Sequence, residues 1–231
     1  MKWEVKAGIA GLLFGSMLVG CGVAPEQGEL GGLEDVTAES SASAETGLDA
    51  HRGYSTPVAV ARYGHAVAYG DGKYFAVWAD VRTGGIYGTR VKPDGTVLDP
   101  RGIRINFGEE IGRRPAIAFN GTHFFVVWDT INGVDGVRVK PDGTVVGPMF
   151  LAVQSDEVFD PARVACSPKI CLVTYTVAGD DSSTIYFTRV SKDGVILSTD
   201  DHTLNASNTF ADDASSTWNN SKKEFLVVWS V

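Results

Sequence analysis

Ala116-Ile-Ala-Phe-Asn-Gly-Thr-His-Phe-Phe-Val-Val-Trp128 aligns without a gap on Ala66-Val-Ala-Tyr-Gly-Asp-Gly-Lys-Tyr-Phe-Ala-Val-Trp78, fifty residues earlier. Arg163-Val-Ala-Cys-Ser-Pro-Lys-Ile-Cys-Leu-Val-Thr-Tyr175 is a third copy, and Thr217-Trp-Asn-Asn-Ser-Lys-Lys-Glu-Phe-Leu-Val-Val-Trp229 a fourth with a longer turn. A second block recurs behind the first three copies: Ile86 to Leu98, Val134 to Val146 and Ile185 to Leu197 share Arg-Val-x-x-Asp-Gly in one register. Self-similarity at a period near fifty residues marks a repeat architecture, and it constrains the fold more than any single motif.

Each period contains the same parts. A short alternating run meets an Asn-Gly or Asp-Gly turn, where Gly accepts positive φ at little cost. A continuous apolar run such as Phe124 to Trp128 follows, then an alternating run ending in Pro-Asp-Gly, then a last extended piece. This predicts four strands per repeat, with no helical period after residue 51. A strand that is apolar without alternation must be buried on both faces, as happens when one sheet is packed between two others. The expected fold is therefore all-β, a β-propeller-like array of four-stranded antiparallel blades. The repeats fall at about 57–112, 113–160, 161–212 and 213–231, the last one partial. About 3.5 repeats make an incomplete ring, so the expectation is either missing C-terminal blades or closure as a homodimer, with the first favoured.

The combination Phe-x-Val-Val-Trp, Ile-Tyr-Gly-x-Arg-Val and the stretch Pro93 to Ile105 resembles the repeats of bacterial surface lipoproteins taken to form propellers. The resemblance covers roughly residues 58–231 and implies export and a repeat scaffold; it implies no particular reaction. The N-terminus points the same way. Lys2 and Lys6 precede an apolar run from Ala7 to Val19, too short to span a bilayer and shaped like a secretory signal. Leu18-Val-Gly-Cys21 resembles the lipobox of bacterial lipoproteins, which implies cleavage before Cys21, acylation of that Cys and anchoring to the bilayer by lipid. Residues 1–20 are then a signal peptide, 21–50 a lipidated tether and 51–231 the repeat domain, lodged at the outer membrane or cell surface.

Composition fits this division. The net charge of −8 argues against a nucleic-acid partner. Seven acids and no Lys or Arg lie in residues 22–50, whereas residues 51–231 hold 18 bases against 20 acids. The acidity belongs mainly to the tether, whose Gly, Ser, Ala and Thr content cannot offset the entropy of ordering.

Cys166 and Cys171 flank a four-residue hairpin at positions equivalent to Phe119 and Phe124, which places them within disulfide reach in an oxidising compartment. No metal site or cofactor is expected. The four His are dispersed, and Asp94, Asp142 and Asp193 precede Gly in turns, a structural role rather than calcium binding. No nucleophile-elbow, zinc-protease or phosphate-loop pattern occurs. Asp80, Arg82 and Asp129 follow the repeat's Trp where a strand leaves its blade, and they are the candidate ligand-binding residues; local loop capping competes with that role.

Two functions follow. In the first, the repeats are a non-catalytic binding or scaffold module whose variable loops hold a surface protein or glycan. In the alternative, acids at the propeller mouth make the chain a secreted, glycosidase-like hydrolase, which requires carboxyls converging within ~5–10 Å on one pocket. The sequence favours the first, and with it no catalytic residue.

Overall fold

The computed structural model describes residues 5–7, 64–80, 82–107, 111–154, 161–179, 182–197, 202–204 and 210–230. Cys21, most of the leader and the tether lie outside these residues. The described residues are all-β. The strands are β1 (Val5–Ala7), β2 (His65–Gly70), β3 (Lys73–Asp80), β4 (Gly85–Val91), β5 (Ile103–Arg104), β6 (Arg113–Phe119), β7 (Phe124–Thr130) and β8 (Gly133–Val139). There follow β9 (Val145–Gln154), β10 (Arg163–Cys166), β11 (Ile170–Ala178), β12 (Ser183–Ser191), β13 (His202–Thr203), β14 (Asp212–Asn219) and β15 (Glu224–Ser230).

Three antiparallel sheets run in sequence order, β2 to β5, β6 to β9 and β10 to β13, and they form blades 1, 2 and 3. The turns are the ones the sequence demands. Asp71 and Gly72 both take positive φ, 50° and 73°, in the two-residue hairpin between β2 and β3. In the Pro-Asp-Gly turn after β4, Gly95 sits at φ 84° and donates its N–H to Lys92 O at 2.9 Å. The Asp94 carboxylate accepts the N–H of Thr96 at 2.9 Å, which confirms the turn role of that aspartate. Arg90, from the shared Arg-Val motif, forks onto Asp99 at 2.8 and 2.7 Å.

The first strands β2, β6, β10 and β14 lie side by side along the axis of the array, and the second strands carry the seams between blades. Alternation assigns the faces. Phe75, Val77 and Ala79 of β3 pack against Phe124, Val126 and Trp128 of β7. The other face of β7, Phe125 and Val127, packs against Val164, Val173 and Tyr175 of blade 3. Leu172 and Ile185 of blade 3 then meet Phe225, Val227 and Trp229 of β15. Residues 124 to 129 are all buried, as an unalternating apolar strand requires. Burying each such side chain contributes about 1.5–3 kcal/mol.

Blade 4 departs from the others. Its β14 and β15 pair antiparallel around a longer turn, and the third position is held by β1, which runs parallel to β15 with Val5 opposite Phe225 and Ala7 opposite Val227. An unpaired strand edge presents a row of N–H and C=O groups, and in the uncut chain this short segment satisfies part of that row; cleavage before Cys21, which the lipobox-like run implies, would remove it. The outer flanks of the array are exposed: Val67, Tyr69 and Tyr74 on blade 1, and Leu226 and Val228 on blade 4.

Cys166 and Cys171 face each other across β10 and β11 and form the expected disulfide. A sequence separation of 5 closes a very small loop. Replacing both by Ser should therefore cost about 2 kcal/mol or less in urea unfolding. By contrast Phe125→Ala, inside a seam, should cost about 3–5 kcal/mol, while Val67→Thr on the open flank should change stability by under ~0.5 kcal/mol.

Candidate functional site

The first strands of blades 1, 2 and 3 begin at one end of the array, and their first residues enclose a cavity of about 560 Å³. Gly64 and His65 of blade 1, Arg114 and Pro115 of blade 2, and Pro161 and Arg163 of blade 3 line it, with Ala66 and Ala116 behind them. The backbone shapes this mouth. Gly64, Arg114 and Asp213 hold one repeat position, two residues before Ala66, Ala116 and Ser215, and all three take positive φ: 98°, 44° and 49°. Register shifts between Arg113 and Ala116 and between Asp212 and Ser215 mark bulges at those points. Bulges of this kind re-aim side chains, and non-Gly residues in the left-handed region store strain that the surrounding structure must over-determine.

Below the rim lies Asp129. It sits on the face of β7 that looks to blade 3, and its Oδ1 accepts the N–H of Ala162 at 3.1 Å, which ties the two blades together. Its Oδ2 lies 2.6 Å from Nε of Arg114. Burial pushes this carboxyl above the ordinary aspartate range, and the charge of Arg114, with a smaller pull from Arg163, opposes the shift. Arg163 donates to Pro161 O at 3.3 Å and to Asp213 Oδ1 at 3.4 Å. Asp213 is an exposed rim carboxylate, its side chain 77% accessible. Two carboxyls in contrasting surroundings, one sunken and one open, are thus each paired with an arginine, Asp129 with Arg114 and Asp213 with Arg163.

Asp80 and Arg82 lie elsewhere. Asp80 is on the face of β3 opposite Phe75, Val77 and Ala79, and so points away from blade 2. Asp129 points toward blade 3, which puts both blades between the two carboxylates. They do not converge on one pocket. Arg82 forks onto Asp80, donating from Nε at 3.0 Å and from Nη2 at 2.6 Å, and its backbone N–H bonds the same carboxylate at 3.0 Å. This is the capping arrangement, and Arg82 holds the Asp80 carboxyl below the usual carboxylate range. Sequence reasoning reached Asp129 but missed His65, Arg114, Arg163 and Asp213. The signal was available, because all four lie within two residues of the start of a first strand, where the repeats otherwise vary.

No family model matches the sequence, nor does any curated protein. Solved structures do match. An endo-arabinase from Bacteroides thetaiotaomicron aligns with a TM-score of 0.50 at 14% identity, over 77% of this chain and 75% of that one. An α-L-arabinofuranosidase from Clostridium thermocellum aligns at 0.45 and 13%, over 69% and 61%, and the α-L-arabinofuranosidase PaAbf62A from Podospora anserina at 0.44 and 13%, over 70% and 61%. The chain thus spans under two thirds of these last two proteins. At such identities the likeness shows the fold, and the fold is of the β-propeller type. All three neighbours are named for glycan cleavage. The first of them, aligned at a TM-score of 0.50, is an enzyme by its name, which corrects the expectation of a non-catalytic binding or scaffold module and the inclination against an enzyme.

Acid stability should follow the carboxylates held by arginine. Arg90 keeps Asp99 below its ordinary value, so Asp99 adds stability above the unfolded aspartate pKa of ~3.9 that is lost as pH falls through the folded value. Asp129 has the opposite sign: its folded pKa is raised, so its contribution weakens as pH rises past ~3.9. Urea midpoints between pH 6 and pH 3 should therefore fall less steeply for Asp99→Asn than for the wild type.

Proposed function

We propose that the chain is a glycoside hydrolase whose substrate site is the mouth at the start of the first strands. The observation that supports this reading is that, beside the first strands whose residues line the mouth, one arginine-held carboxyl is buried, Asp129, and another is exposed, Asp213. Glycosidic bonds are broken by two carboxyls with different protonation states, and contrasting environments are how a protein assigns those roles. In this reading Asp129 gives its proton to the leaving glycosidic oxygen as the bond from the anomeric carbon breaks. Asp213 takes a proton from the water whose oxygen adds to that carbon, and the proton balance is closed when the two groups exchange protons with solvent. Arg114 limits how far the Asp129 pKa rises, and Arg163 orients Asp213. The propeller-type fold, shared with an endo-arabinase, supports this reading and makes arabinose-containing glycans the first substrates to try.

The lipobox-like run ending at Cys21 supports a placement outside the cytoplasm, with the enzyme on a lipid anchor at the outer membrane or surface. A tether of some thirty residues would let the mouth reach polymers beyond the bilayer.

Release of reducing ends from arabinan and from aryl arabinofuranosides tests the proposal. Asp129→Asn and Asp213→Asn should each lower kcat by about 10²-fold or more, whereas Asp80→Asn should leave kcat within a factor of about 2. The alkaline limb of the pH profile should move to higher pH in Arg114→Gln, because the charge opposing protonation of Asp129 is gone.

A further inference from the structure

The mouth has an unusual lining for a sugar site. His65, Arg114 and Arg163, from three successive blades, all border the one cavity, and among its described lining residues there is no carboxylate and no Phe, Tyr or Trp. Its volume of about 560 Å³ falls within the ~300–1,000 Å³ range of small-molecule sites. The aromatic residues that could have formed a stacking platform are used elsewhere. Trp128 is in the seam between blades 1 and 2, Trp229 faces blade 3, and Trp78 stacks on Tyr87 at 6.2 Å on the flank away from blade 2. A neutral ring entering this mouth would meet guanidinium groups and small apolar side chains, with no flat surface to lie on.

The two arginines are placed for an anion. Both residues line the cavity and their side chains are partly sheltered, 32% accessible for Arg114 and 36% for Arg163, which strengthens a charge-assisted bond relative to one in open water. Each is held in place, Arg114 by the Asp129 carboxylate and Arg163 by the carbonyl of Pro161 and the exposed Asp213 carboxylate, so less side-chain entropy remains to be lost on binding. Pro115 and Pro161 beside them hold the backbone φ. A planar fork of N–H donors matches a planar carboxylate in two bonds.

From this we infer that the mouth selects an acidic sugar, a uronosyl ring whose carboxylate is held between Arg114 and Arg163. The inference rests on the glycoside hydrolase reading only in placing a glycan in the mouth; it adds the charge of the sugar that is bound. A glycan carrying sulfate shares the negative charge but lacks the planar carboxylate, and the test separates the two.

Calorimetric titration of the full chain with trigalacturonate, its carboxyl-reduced neutral counterpart and a sulfated galactose trisaccharide decides the matter. Trigalacturonate should bind about tenfold or more tighter than the neutral sugar at 50 mM salt, and the advantage should shrink at 500 mM. Arg163→Gln should abolish the preference, and Arg163→Lys should retain part of it, since the charge remains and the fork does not. Equal binding of charged and neutral sugars overturns the inference and leaves hydrolysis standing, and tighter binding of the sulfated sugar overturns the choice of carboxylate. Preference for trigalacturonate without turnover of that or any neutral glycan upholds the charge selection and removes the hydrolase reading.

Discussion

Blade 2 is held on both sides, and the remainder of the array depends on that contact. Its second strand presents Phe124, Val126 and Trp128 to one neighbour and Phe125 and Val127 to the other, so two seams meet in a single strand. Phe75 and Phe124 touch across the first seam with ring centroids 5.2 Å apart. Because both faces are committed, the strand cannot slip by one residue without exchanging the contents of both seams. That fixes the register of the first strands beside it, and the first strands carry the mouth.

The two seams of blade 2 are apolar along β7, and the one shared with blade 3 becomes polar at the mouth end. There Asp129 replaces the apolar residue that continues the face of Phe125 and Val127, and Ala79 holds the equivalent place in blade 1. A buried carboxylate needs partners, and it finds one on each adjoining first strand: Arg114 within its own blade and the Ala162 N–H in the next. The site is therefore made from the seam's exception. Removing Arg114 would leave a sunken carboxyl without its ion-pair partner, so the positions of the rim and the integrity of the seam are coupled.

The repeat, the four strands of each complete blade, the turns and the Cys166–Cys171 bridge could all be read in the sequence, because each is encoded locally by a period, a glycine or a hairpin spacing. The site could be read only in part. Asp129 stood out because it follows the repeat's Trp, and Asp80 stood out for the same reason, yet the alternation of strand faces sends them to different sides. Register on a pleated strand separates positions that look equivalent in an alignment, and Asp80 is offset by one from Asp129 in the repeat. Arg114, Arg163 and Asp213 gave no motif because they come from three repeats and meet only when the first strands are laid side by side. The place of β1 beside β15 was also hidden, since a parallel pairing between the two ends of a chain leaves no local trace.

The exposed flanks carry a consequence for how such a chain can change in length. Blade 1 turns outward the same class of face that blade 2 buries, and blade 4 turns outward the partner of that face. The seams are directional, like a row of identical dovetails, with a tongue at one end and a groove at the other. A duplicated blade added at either flank would meet a surface already cut to receive it, and no existing seam would need altering. Gain and loss of whole blades is thus the change this architecture resists least, while the mouth, built across several blades at once, holds their order fixed.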